Sequence, residues 1–86
     1  MKKRLSEVHT DFYEKYHCFM HFKMQSDTNG VYPTLYYGVL YMGKEMIGSG
    51  DWEYNYDKAY KSAHKNMCRI MTGMLYPGKK IKVIND

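Results

Sequence analysis

Tyr36-Tyr37-Gly38-Val39-Leu40-Tyr41-Met42-Gly43-Lys44-Glu45 is the stretch on which the fold turns. Its apolar run ends at Gly43-Lys44, a tight turn, and the chain then reverses into a second extended segment over 45–48. Gly48-Ser49-Gly50 closes that segment, and its two glycines predict a bulge or bend. From about Tyr56 the period changes to that of a helix. Ala59, Tyr60, Ala63, Met67, Ile70, Met71 and Met74 fall on one face and form its expected buried side. The small Ala59 and Ala63 permit close approach to a sheet. Asn55 is the expected N-cap, and Asp57 in the first turn suits the helix dipole. Gly73 either ends this helix or is carried in its last turn. A hairpin feeding one long amphipathic helix is the layout of a binding module.

Upstream, 2–16 predicts a helix with Leu5, Val8, Phe12 and Tyr16 on one face. Lys2, Lys3 and Arg4 stand at its start, where the dipole disfavours positive charge. That start is expected to fray and leave the basic cluster to a partner. Over 17–25 the period is two, with Cys18, Met20, Phe22 and Met24 inward and His17, Phe19, His21 and Lys23 outward. Ser26-Asp27-Thr28-Asn29-Gly30 is a turn cluster. The second strand runs over about 34–42, and the third over 45–48, resuming at 51–54. Tyr76-Pro77-Gly78 is a turn, and 79–84 is either a short edge strand or a tail. The expectation is an α+β fold, α-β-β-β-α, with a three-stranded antiparallel sheet packed on two helices and a short C-terminal strand as an option.

Eighty-six residues make one small domain, 1–86, near the lower limit for a self-sufficient core. A hydrophobic fraction of 44% argues against disorder. The net charge of +4 either favours nucleic acid or an acidic protein surface as partner or is simply a solvated basic surface. Two cysteines do not make a disulfide framework, so reduced thiols and a cytoplasmic location are expected. No apolar run follows Met1-Lys2-Lys3-Arg4 as a signal peptide requires, and none approaches the roughly 20 residues of a membrane span. Ten tyrosines and eight methionines supply adaptable contact area.

Met42-Gly43-Lys44-Glu45, Gly48-Ser49-Gly50, then Ala59 and Ala63, with Leu5-Ser6-Glu7 at the front, resemble the double-stranded-RNA-binding domain in order and spacing. The match is strongest over 36–71. The resemblance implies a non-enzymatic domain that contacts duplex RNA. It implies a minor-groove contact for Glu7 and another for the loop over 27–32. The chain departs from that family at two places. The loop lacks the family's Gly-Pro-x-His, and Tyr56, Asp57 and Lys58 precede Ala59 where the family carries a lysine cluster. In composition the chain also resembles small accessory proteins of bacteriophages.

Lys58, Lys61, Lys65 and Arg69 recur at spacings of three, four and four, which makes one helical stripe. Such a stripe either meets phosphates, with a salt-dependent contribution from each contact, or is a solvated polar face. Tyr32, Tyr36, Tyr37, Tyr41, Trp52, Tyr54 and Tyr56 form a dense aromatic set, suited to core, to a protein interface or to base stacking. Of these, Tyr32, Tyr36, Trp52, Tyr54 and Tyr56 are the protein-interface candidates. Tyr37 and Tyr41 share a strand face with Leu35 and Val39, and Tyr36 lies opposite with Leu40.

His17 and His21 on one strand stand roughly 13 Å apart, too far to share an ion. His64 and Cys68, four apart on a helix, are two ligands and not a site. Neither metal nor cofactor is expected. No nucleophile elbow, phosphate loop or local triad pattern is present, so no enzyme is expected. The resulting expectation is a small non-enzymatic module contacting nucleic acid, duplex RNA above all, through its basic helix. The alternative is a phage-type inhibitor or adaptor that binds a host protein or defence complex through its aromatic- and methionine-rich surface. A homodimer through the aromatic sheet is compatible with either.

Overall fold

The computed structural model describes residues 1–28 and 33–85. The order is β1 (Lys2–Arg4), α1 (Leu5–Tyr16), β2 (Met20–Asp27), β3 (Leu35–Met42), β4 (Glu45–Ser49), α2 (Tyr56–Leu75) and β5 (Lys82–Ile84). Strands β2, β3 and β4 form an antiparallel sheet in that order, and β1 pairs with β5 in a separate parallel ribbon. The α+β class, the three-stranded meander, the two helices and the short C-terminal strand all agree with the sequence pattern.

The β2–β3 register runs from Met20↔Met42 to Asp27↔Leu35. It points Met20 and Leu40 into the core together. Gly43 takes φ 63, the left-handed conformation that the turn into β4 demands. The Gly43 N–H donates to Phe19 O at 2.8 Å, and the His21 ring bonds Gly43 O at 2.9 Å. A bulge follows. Leu40 faces Gly48 and Tyr41 faces Met46, so Ile47 is the extra residue. The expected resumption over 51–54 shrinks to one bridge, Glu53 with Tyr36, whose two backbone bonds measure 2.7 and 2.9 Å.

α2 crosses the sheet at Ala63. A Cβ on Gly38 would overlap the Ala63 methyl, and one on Gly50 would stand 3.1 Å from the Ala63 backbone. The Gly50 N–H bonds Gly38 O at 2.8 Å, so the two glycines make a single notch that receives the helix. α1 packs alongside α2. Val8 and Phe12 from α1 meet Met67, Cys68 and Met71 from α2, with Met20 and Leu40 from the sheet.

Four expectations need correction. Lys2–Arg4 is a strand and not the start of the helix: Lys2, Lys3 and Arg4 lie opposite Lys82, Val83 and Ile84. Strand pairing with β5 gives these backbone groups partners, while Arg4 at the end of β1 is also the N-cap of α1. The basic cluster therefore does not fray, and Lys3 is tied down by an ion pair with Asp11 at 3.0 Å. His17 is not in the strand either. At φ 58 it caps α1 with its N–H on Tyr13 O, and β2 begins at Met20. Tyr60 is exposed, its ring edge-on to Phe22 at 5.0 Å. Cys68 takes a core place instead. Among the described residues no helix is long and apolar enough to cross a membrane.

Candidate nucleic-acid interface

The longest element carries the cations. Asn55 caps α2, its Oδ1 accepting the Lys58 N–H at 3.1 Å. Gly73 is carried inside the last turn, and the Tyr76 N–H closes the far end on Thr72 O. Twenty residues give a rod about 30 Å long. Ala59, Ala63, Met67 and Met71 are buried. Lys58, Lys61, Lys65 and Arg69 are all exposed. At about 100° per residue these four fall within a narrow arc on the side of α2 away from the sheet. Each four-residue step separates neighbouring cations by about 6 Å along the axis.

The ridge is not neutralised. Among the described residues none of the four is ion-paired, whereas Lys3 is paired with Asp11 of α1. Arg69 has one bond, to Asn66 Oδ1 at 2.9 Å, and keeps its remaining donors outward.

Beside the ridge lies a groove of about 400 Å³ between α2 and the segment around β5. Lys65, Arg69 and Thr72 edge it on the helix side, Ile81, Val83 and Asn85 on the other, with His64 and Cys68 at its base. Cys68 Sγ is 3.8 Å from His64 Nδ1, and burial pushes the thiol above its ordinary pKa. The sulfur packs in the core cluster with Val8, Phe12 and Met71. A second depression, about 430 Å³, continues past His64 and Asn85 to Lys61, Tyr60 and Leu5. The two run along the same side of α2.

The β1–β5 ribbon holds cations that the helical reading of 2–16 misplaced. Lys3 and Val83 are half-buried, whereas Lys2, Arg4 and Lys82 are exposed, with Lys2 directly opposite Lys82.

Lys3, Asp11 and Tyr76 moor this ribbon. Both the Tyr76 hydroxyl and the Lys3 ammonium donate to Asp11 Oδ2, and Lys3 lies 4.7 Å from the Tyr76 ring centroid. The Tyr76 hydroxyl first, then Lys3, holds the Asp11 carboxyl below its usual range. Burial and the bond to Asp11 push the Tyr76 phenol up.

Glu7 is exposed on α1 and lines another depression, with Ser6, Thr10 and Asp11. Leu5 is the α1 residue that reaches the groove beside Lys61. Two helical positions place Glu7 about 200° round from Leu5, so Glu7 and the ridge are not brought together. The implied loop contact falls largely on 29–32, and those four residues, Tyr32 included, lie outside the described residues.

The aromatic candidates separate into two groups. Trp52 stacks on Tyr37 at 4.3 Å and 10°, on the open face of the sheet. His21 stacks on Tyr41 of the same face at 5.3 Å, with Lys23 5.4 Å over the Tyr41 ring. Tyr36 meets Tyr56 edge-on at 5.6 Å at the start of α2. Trp52, Tyr54 and Tyr56 are 50%, 64% and 48% exposed. Among the described residues no three His, Cys, Asp or Glu side chains gather around a point where an ion could sit.

With this geometry in hand, comparison with protein-family models, with curated proteins and with solved structures gives no match.

Proposed function

We propose that this chain is a small non-enzymatic module that binds nucleic acid, and duplex RNA in particular, through the exposed ridge of α2. The observation that carries the reading is the row Lys58, Lys61, Lys65 and Arg69, without a carboxylate partner among the described residues. Double-stranded RNA is recognised mainly through shape, phosphate and 2′-hydroxyl, and a straight cationic rod suits that chemistry. Two helices on one side of a three-stranded antiparallel sheet agree with the arrangement that a double-stranded-RNA-binding domain would have. Free Cys18 and Cys68 suit a cytoplasmic setting. The test is fluorescence anisotropy with a labelled RNA duplex. The Lys61→Glu, Lys65→Glu double variant should lose binding, and undiminished binding by that variant would sink the proposal.

A second reading has its own support in the exposure of Met46, Trp52, Tyr54 and Tyr56. In it the aromatic- and methionine-rich surface holds a host protein, as a phage-type inhibitor or adaptor does. Aromatic side chains are favoured anchors at such interfaces. A partner captured by the native chain, lost on Trp52→Ala with Tyr54→Ala, and no shift of any RNA or DNA would favour this reading over the first.

A further inference from the structure

We infer that the groove between α2 and the β5 segment takes one unpaired nucleotide of the bound RNA, a base bulged from or overhanging the duplex. The inference rests on the nucleic-acid reading above and specifies what its ridge recognises besides phosphate.

The groove has two unlike walls. Lys65 and Arg69 edge one side, while Ile81 and Val83 supply apolar surface on the other. A row of phosphates needs only the first wall, and an apolar ligand needs only the second. A nucleotide needs both, because its phosphate is an anion and its base offers two apolar faces. About 400 Å³ is within the range of small-ligand pockets and suits a single nucleotide.

Base edges also require donors and acceptors. The Asn85 side chain offers both, and His64 offers a ring nitrogen. Thr72 contributes little as a donor, since its hydroxyl is already directed to Cys68 O at 2.9 Å and Arg69 O at 3.1 Å. The neighbouring depression repeats the pattern, with Lys61 beside the exposed ring of Tyr60. Lys61, Lys65 and Arg69 thus mark out a line about 6 Å per step beside the two depressions, which suits a strand whose backbone follows the ridge.

The experiment compares one blunt RNA duplex with the same duplex carrying a single bulged 4-thiouridine, against the full chain. The bulged duplex should bind about tenfold tighter, the gain expected from seating one base. Irradiation should crosslink the thiouridine to 64–72 or 81–85. Ile81→Trp, which fills the groove, should abolish the preference so that the two duplexes bind alike; the crosslink map on the native chain stands independently of whether that variant folds. Equal affinity of the native chain for both duplexes, or crosslinks confined to Trp52 and its neighbours, would overturn the groove inference and leave the ridge standing. Failure to bind either duplex would overturn both.

Discussion

The open face of the sheet and the outer ridge of α2 are both exposed, yet their side chains are in opposite conditions. On the sheet the rings find one another: Tyr37 with Trp52, and His21 with Tyr41 under Lys23. On the ridge Lys58, Lys61, Lys65 and Arg69 have no carboxylate partner among the described residues. Ring pairs on one chain already hold part of what a partner would supply. Unpaired cations in a row repel one another, and a polyanion relieves that repulsion while releasing its counterions. Exposure alone therefore does not separate a recognition surface from a finished one. The ridge, not the sheet, is where a polyanion changes the molecule's energy most.

The sharpest way to break this contrast is to reverse charge on the ridge. Lys61→Glu with Lys65→Glu exchanges two attractions for two repulsions, and duplex binding should fall at least about a hundredfold, read by anisotropy. An equal fall on Trp52→Ala, which leaves the ridge intact, would erase the distinction between the two faces. Trp52→Ala is expected to leave duplex affinity within about twofold.

Next in size is the notch that seats the ridge. Gly38→Ala sets a methyl against the Ala63 methyl and should cost about 1–3 kcal/mol in urea unfolding. A cost near zero would mean that α2 is not held against the sheet at this point. Asn55→Ala removes the cap on the Lys58 N–H and should cost about 1 kcal/mol, also by urea unfolding.

The last prediction concerns the mooring of the ribbon. The carboxyl of Asp11 is depressed in the fold, so its contribution is present above the ordinary carboxylate pKa and is lost as pH falls through the folded value. Tyr76 is raised, so its contribution is present below the ordinary phenol pKa and is lost as pH rises through the folded value. Thermal melts should therefore weaken at both limits, and Asp11→Asn should flatten the acid limb. An acid limb unchanged in that variant would place the pH sensitivity elsewhere.

How much of this was legible in the sequence follows from how local each signal is. The hairpin at Gly43 and the helix after Asn55 are written in neighbouring residues: a period, a turn glycine, a cap. The ridge follows from them, because fixing the buried face of α2 fixes its opposite. The ribbon was hidden for the converse reason. Lys2, Lys3 and Arg4 become a strand only through Lys82, Val83 and Ile84 at the far end of the chain. Three residues are too few to show a period, and Lys and Arg are good helix formers, so tertiary pairing overrides the local preference. Without the ribbon, the groove beside Lys65 and Arg69 has no second wall and cannot be foreseen. Cys68 lies at the margin of the apolar stripe, where α1 completes its burial, whereas Tyr60 lies within the stripe but in the first turns of α2, where it meets only the edge of Phe22.

The central claim, that the α2 cations hold phosphates, is tested most directly by the salt dependence of duplex RNA binding. Four contacts should give a log–log slope of roughly −3.6 if duplex RNA behaves as duplex DNA does, and Lys65→Ala should make it shallower by about 0.9. A slope near zero, or one that Lys65→Ala leaves unchanged, would contradict the account.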